Sequence, residues 1–328
     1  MKSTSPTAAK QTGMAIISAL LIAAVVAVIA GGMLTRLSVF TRSLEAEQSR
    51  VQGGAVLLAG LEISRQLLND ARQQGALTRL DQPWAQPVKS SLANSLGGAF
   101  EGRLEDQQGK FNLRNLMSNE RVDLGQLRSF ERLCEMIGID ASLGQRISER
   151  VIATYPRVVS SPPSGQSTAV TGFDSGRATS PNASRRPLPA TRPMLRSLED
   201  LRELQGMSDQ ALARLDQFVS IVPAKTWVNG NTASAEVLAA VVPGLSLSQA
   251  KAIVVERDHG QWFINRGDFV NRLRLPHLKV DGLNVGISSE WFLLRGHARR
   301  DQRRVSVDAL LHRPQNDMPK VVWSRLGV

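Results

Sequence analysis

Four histidines and one cysteine are the residues of this 328-residue chain whose types suit metal or covalent chemistry. His259, His277, His297 and His312 lie far apart and form no pair at zinc-ligand spacing. Cys134 stands alone, which excludes a disulfide within the chain and leaves a small buried hydrophobe as its reading. No G-x-S-x-G elbow, no P-loop and no G-x-G-x-x-G fingerprint occurs. These residues do not point to an enzyme. Charge is the next candidate, with 40 Lys+Arg against 29 Asp+Glu and a formal net charge of +11. Such a balance suits nucleic acid or an anionic surface. Here the basic residues are dispersed. Arg185, Arg186 and Arg192 fall in a loop-like stretch, and Arg299, Arg300, Arg303 and Arg304 near the end. Dispersed charge ordinarily marks solvated faces.

The elements around these residues begin with an apolar run. With 42% hydrophobic residues the chain can build a core, and its length allows two modest domains plus an anchor. Met14 to Leu34 reads MAIISALLIAAVVAVIAGGML, in which only Ser18 is polar and nothing is charged. About 20 apolar residues at 1.5 Å each span a hydrocarbon core of roughly 30 Å. Lys2 and Lys10 precede the run without an acid, so the body that follows is expected to be exported.

Three readings of this end compete. A secretory signal peptide would be cut after Ala30, where Val28-Ile29-Ala30 supplies small residues. A plain anchor would stay uncut. The third is a prepilin leader, since Lys10-Gln11-Thr12-Gly13 before the apolar run resembles a prepilin peptidase site. The segment beyond the run favours the third. Leu34, Leu37, Phe40, Leu44, Val51, Ala55, Leu58 and Leu61 recur at helical steps, and no turn signal appears before Gly75. One helix is expected to leave the membrane and continue under a head, weakened at Gly53-Gly54.

The body divides by pattern. Ala99–Asp106 (AFEGRLED) reads as extended, and Leu124–Tyr155 as helical with Leu127, Phe130, Leu133 and Ile137 on one stripe. Residues 160–196 form a Ser-, Pro- and Gly-rich loop. Ser197–Leu215 reads as two short helices about Gly206, with Ser197 as N-cap. Between Trp227 and Leu273, SAEVLAAVV and LSLSQAKAIVVERD form a helical hairpin about Pro243-Gly244-Leu245. Trp291–Arg300, Arg303–Arg313 and Lys320–Gly327 read as strands of an antiparallel meander.

The order of these features resembles the minor pseudopilin K family of the type II secretion system. The phrase Asp106-Gln107-Gln108-Gly109-Lys110-Phe111-Asn112-Leu113-Arg114-Asn115-Leu116 is similar to the family's D-x-x-G-x-F-N-L-N-x-L, with Arg114 in place of the usual Asn. Val228–Ala233 supplies V-N-x-N-T-A, and Ser288, Ser289, Phe292 and Leu294 supply the closing strand phrase. The resemblance implies an α+β chain. Its parts are a leader (1–13), a transmembrane half-helix (14–34) and a periplasmic half-helix (35–74). A pilin-like antiparallel head (75–118 and 280–328) is interrupted by an all-helical insertion (119–279) with helix-hairpin-helix or SAM-like units. It implies cleavage between Gly13 and Met14 by prepilin peptidase and N-methylation of Met14. The fifth mature position is then Ser18, where most pseudopilins carry Glu; its absence is a mark of K. The implied place is the bacterial inner membrane, in a single pass with the N-terminus cytoplasmic and the head periplasmic. The implied role is to initiate or cap the pseudopilus at its tip, with partners resembling the I and J components. No cofactor is required. Some members bind calcium in the insertion, and Asp174, Glu199 and Asp200 are oxygen donors near the loop. Calcium takes six to eight oxygens and no ordered ligand pattern is visible. Glu199 and Asp200 also suit a helix start without metal.

A membrane-anchored DNA receptor of the competence type is the alternative, because it also joins an anchor to helix-hairpin-helix units and shares the V-N-x-N-T-A phrase. The turns here, Gly206-Met207-Ser208 and Gly244-Leu245-Ser246, lack the second glycine of a phosphate-binding G-x-G. From Lys225 to Arg274 six basic residues face four acidic ones, a weak field for a polyanion. An anchored periplasmic enzyme is a third class, without a nucleophile motif or metal cluster to support it.

Overall fold

Residues 12–90, 99–158, 188–300 and 303–327 are described by the computed structural model. The apolar run and its continuation form a single helix, α1 (Thr12–Gln74), of 63 residues. At 1.5 Å per residue it is about 95 Å long. Ile16–Leu44 is apolar enough to cross a membrane, and none of that stretch is buried against the rest of the protein. Gly53 and Gly54 do not interrupt the helix.

Of the stripe read in the sequence, Leu34, Leu37, Phe40 and Leu44 lie on the apolar span, Leu61 is buried against the head, and Val51, Ala55 and Leu58 face outward. Burial begins near Gly53 and runs through Val56, Leu57, Gly60, Leu61, Ser64, Leu68 and Ala71. The small residues Gly53, Gly60, Ser64 and Ala71 let α1 come close to the head, and Val56, Leu57, Leu61 and Leu68 fill the core between them.

That contact is with a five-stranded antiparallel sheet. Its strands are β1 (Val88–Ser90), β2 (Ala99–Asp106), β9 (Trp291–Arg300), β10 (Arg303–His312) and β11 (Lys320–Gly327), in the order β1-β2-β9-β10-β11. Phe100 on β2 lies beneath α1 in a slot made by three glycines. A Cβ on Gly60 would fall 2.4 Å from the Phe100 ring, on Gly296 2.6 Å and on Gly102 2.8 Å. Gly60→Ala gains about 1 kcal/mol of helix propensity but must displace that ring, and overpacking of this kind costs roughly 1–3 kcal/mol. We expect a net loss of thermal stability, partly restored by Phe100→Leu in the same chain. A Gly60→Ala protein that melts above the wild type would contradict the slot.

β2 and β9 are neighbours in the sheet, yet the whole insertion lies between them in sequence. It holds α2 (Leu124–Met136), α3 (Ala141–Ile152), α4 (Asp209–Phe218), α5 (Ala235–Val241), α6 (Leu247–Asp258) and α7 (Arg266–Leu273). Each begins at a residue whose side chain accepts backbone N–H groups of the first turn: Asp123, Asp140, Ser208, Ser234, Ser246 and Asn265. The stretch read as one helix over 124–155 breaks at Gly138, whose φ of +68° L-residues rarely adopt.

The insertion is not wholly helical. β3 (Phe111–Asn112) pairs parallel with β6 (Val219–Ser220), and β7 (Val228–Asn229) with β8 (Val285–Gly286). β4 (Met117–Ser118) and β5 (Arg121–Val122) form a tight antiparallel pair. Two-residue strands carry no alternation, so the sequence offers no period from which to read them. Phe111, Leu113, Leu116, Leu283 and Val285 share the core of these helices, whereas Phe292 and Leu294 belong to the core under α1. The helical unit therefore packs beyond the 119–279 range at both ends. Within the Ser- and Pro-rich loop, residues 160–187 lie outside the described residues; its ends meet where Arg157 and Leu188 pair as a bridge.

Candidate functional site

The three sequence phrases converge on one buried carboxylate. Asp106 closes β2 as the chain leaves the sheet. Its Oδ2 accepts from Ser289 Oγ at 2.6 Å, Thr232 Oγ1 at 2.6 Å and Asn229 Nδ2 at 3.2 Å, and its Oδ1 accepts from Gln108 N at 2.8 Å. Asn229 has two amide hydrogens for three acceptors, and the closer two are Ser289 Oγ at 2.8 Å and Thr78 O at 3.1 Å. Thr78 Oγ1 accepts from Ser289 N at 3.0 Å and from Arg313 Nη2 at 2.7 Å. Arg313 also donates to Ser289 O at 2.7 Å and Leu68 O at 3.3 Å, with its guanidinium 4.7 Å from the Phe292 ring centre. One cluster thus ties α1, the segment after it, the exit from the sheet, the insertion and the return to the sheet.

Burial raises the Asp106 carboxyl, while the hydrogen bonds from Ser289, Thr232, Gln108 and Asn229 pull it back. Burial lowers the Arg313 guanidinium to about 10, against the attraction of the Asp106 charge. Every contact of Asp106 comes from a donor, which is the arrangement a carboxylate requires.

The rest of the first phrase extends this clamp. Gln108 donates to Trp227 O at 3.1 Å and accepts from Glu290 N at 2.7 Å. Asn112 donates to Ala224 O and accepts from Val222 N, and Asn115 exchanges two hydrogen bonds with the backbone of Thr226. Phe111, Leu113 and Leu116 point into the insertion core. Arg114, the departure from the family phrase, stacks 3.9 Å from the Tyr155 ring centre. The sequence phrase therefore marks a joint, its amides binding backbone on one side and its apolar residues packing on the other.

A second, more exposed link lies beside it. Arg295 on β9 holds Asp216 on α4 through two bonds of 2.7 and 2.6 Å, and Lys110 reaches Glu105 and the Asp216 carbonyl. Burial raises the Asp216 carboxyl, but the Arg295 hydrogen bonds and the Lys110 and Arg295 charges outweigh it and hold it below the ordinary range. A carboxylate depressed in the folded state contributes stability above its unfolded pKa and loses it as pH falls through the folded one. Asp216→Asn is expected to lower stability at neutral pH and to flatten the wild type's loss below about pH 4. Unfolding followed across that range tests this, and an unchanged acid profile would count against the link.

The remaining candidates sit elsewhere. Gly13 and Met14 lie in the first turn of α1, and the residues before Thr12 are outside the described ones. Ser18 is exposed on the apolar span. Asp174 lies outside the described residues. Glu199 pairs with Arg202, and Asp200 accepts the backbone N–H groups of Arg196 and Ser197 at 2.7 and 3.1 Å. These two carboxylates serve a short helical turn (Leu198–Leu201). Both carboxylates are engaged within the chain, and among the described residues no group of three or more His, Cys, Asp or Glu could hold a metal ion.

Half of the basic residues near the helical hairpin are committed internally. Arg257 is buried and donates to Gly230 O and Ala233 O. Arg266 caps the Val285, Val280 and Leu283 carbonyls, and Arg272 binds Asp268 and the carbonyls of Gln261 and Trp262. Gly244 takes a φ of +80° beside His277. Three of the six cations that a DNA receptor could present thus hold backbone carbonyls.

Comparison with known proteins agrees with this geometry. Two family models, each described as type II secretion system protein K, match residues 109–224 and 228–288, which together exceed half of the chain. The type II secretion system protein K of Pseudomonas aeruginosa is 27% identical over 325 residues, covering 97% of this chain and 93% of that protein. Its counterpart in Aeromonas hydrophila is 22% identical, over 95% of this chain and 96% of that protein. A chain of the crystal structure of the GspK-GspI-GspJ complex from enterotoxigenic Escherichia coli superposes with a TM-score of 0.59 at 19% identity, covering 87% of this chain and 99% of that one.

Proposed function

The chain belongs to the type II secretion system protein K family, and from that premise we propose that it is the tip subunit of a pseudopilus. There it initiates or caps assembly for the export of folded proteins across the outer membrane. The observation that carries the reading is the clamp at Asp106. It fixes a bulky helical unit rigidly to a sheet that α1 also crosses. A rigid head of that size has no room between stacked neighbours, but open space lies above it at the tip. Ser18 supports the same place. A subunit that begins the filament has no earlier amine for a Glu to neutralise, and a carboxylate in lipid costs roughly 2.5–3.5 kcal/mol.

α1 is the anchor in this reading, crossing the bacterial inner membrane once with the N-terminus cytoplasmic and the head periplasmic. Prepilin peptidase removes residues 1–13, and the Met14 amine is methylated. The α5–α6 pair about Gly244 is read as a helix-hairpin-helix or SAM-like unit serving packing. The reading assigns no catalysis and requires no cofactor. The partners are minor pseudopilins of the I and J kinds, as in the complex from Escherichia coli. Co-expression of the full chain with such partners and purification through one tag tests this. A stoichiometric complex is expected; recovery of the chain alone would contradict it.

A further inference from the structure

We propose that a cavity between the insertion and the ends of β9 and β10 binds an extended, proline-rich segment of another protein. The cavity measures about 600 Å³, within the size range of ligand pockets. Two tryptophans line it. Trp227 comes from the insertion, and Trp291 opens β9. Phe292, the next residue, lies in the core under α1. Successive strand residues point to opposite faces, so Trp291 and the cavity lie on the side away from α1.

The two walls are held in place before anything binds. Gln108 is buried, donates to Trp227 O at 3.1 Å and accepts from Glu290 N at 2.7 Å, so one side chain spans them. Arg266, bonded to three carbonyls, lies 4.3 Å from the Trp227 ring centre. The His312 ring centre lies 4.4 Å from that of Trp291. A preformed site of this kind loses little conformational freedom on binding.

What these walls leave unpaired defines the occupant. Trp291 is only 9% exposed, yet no described residue accepts from its indole N–H, and the nitrogen keeps contact with open space. A buried indole N–H ordinarily has a partner. The N–H of Trp227, a residue 48% exposed, is likewise without an acceptor among the described residues. Lys225 and Arg266 bring further N–H groups to the lining. Acceptors are scarcer. Glu290 is the one carboxylate among the lining residues, and it faces His312 at 3.7 Å. The cavity therefore suits a ligand that offers acceptors and few donors. A sugar brings a donor with every hydroxyl. A proline-rich segment has carbonyls and almost no N–H. Its polyproline II form is set before binding, and aromatic-lined grooves recognise it. The exposed Trp227 and the neighbouring Ile287 give its rings apolar surface to pack on.

The experiment uses the full chain in detergent micelles with ¹⁵N-labelled tryptophan, so that each of its five indoles gives one N–H signal. A decaproline peptide is the probe. The Trp227 and Trp291 signals should move together and saturate as it is added. Trp227→Phe removes one N–H and keeps an aromatic ring, and it should weaken binding about fivefold. Trp227 lies at the surface, so this variant should melt as the wild type does. A glycine–serine peptide of equal length should leave both signals in place. Signals that stay fixed at millimolar decaproline would overturn the proposal, as would equal binding of the glycine–serine peptide or unchanged affinity in Trp227→Phe. Movement with cellohexaose but not with decaproline would overturn it too and make the cavity a sugar site.

Discussion

Asp106→Ala is expected to be the most destabilising single change in the head. It deletes the acceptor of Ser289, Thr232, Asn229 and the Gln108 amide, and leaves the buried Arg313 without its counter-charge. Removing one partner from a buried charge cluster costs about 3–5 kcal/mol. For a head of this size that corresponds to a fall in Tm of roughly 6–20 °C. Asp106→Asn keeps one acceptor oxygen but turns an NH2 toward donors, so its melting point should lie between the two. Thermal unfolding of the detergent-solubilised chain gives the order. A fall of less than about 2 °C for Asp106→Ala would show that the insertion is held some other way. Limited proteolysis adds a local readout, because the Asp106→Ala chain should be cut first where the insertion meets the sheet.

Gly13→Leu has the second large expected effect, on processing rather than stability. The peptidase must bring its reacting groups against the backbone after Gly13, and a side chain there displaces that backbone. A misplacement near 1 Å slows a reaction on the order of 100-fold. The variant should accumulate with Met1 intact, and secretion should fail because the leader holds the chain back from assembly. Mass spectrometry of the membrane-derived N-terminus decides it. Normal cleavage of Gly13→Leu, or a wild-type terminus at Gly31, would remove the prepilin reading.

Much of this architecture is legible in the sequence, for reasons specific to each element. β2, β9, β10 and β11 follow the stretches read as extended within a residue, and in β10 the alternation of Val305, Val307, Ala309 and Leu311 matches the face that packs under α1. The helices of the insertion begin at Asp, Ser or Asn and turn at Gly, and these are local signals. The Asp106 cluster is not legible in that way. Its members Thr78, Asn229, Ser289 and Arg313 are polar residues of ordinary appearance, brought together across 24 to 235 positions of chain. Only the buried phrase from Asp106 to Leu116 hints at it, since Asn112 and Asn115 sit among large apolar residues and must find partners. The face of α1 that meets the sheet is only partly legible for a related reason. Periodicity locates a helix, but Phe100 chooses the glycine side, and that choice depends on the sheet.

Position along the pseudopilus tests the central claim most directly. Gold-labelled antibody against the insertion, applied to assembled pseudopili, should mark one end of each filament and nothing else. Label repeated along the shaft would contradict a tip subunit.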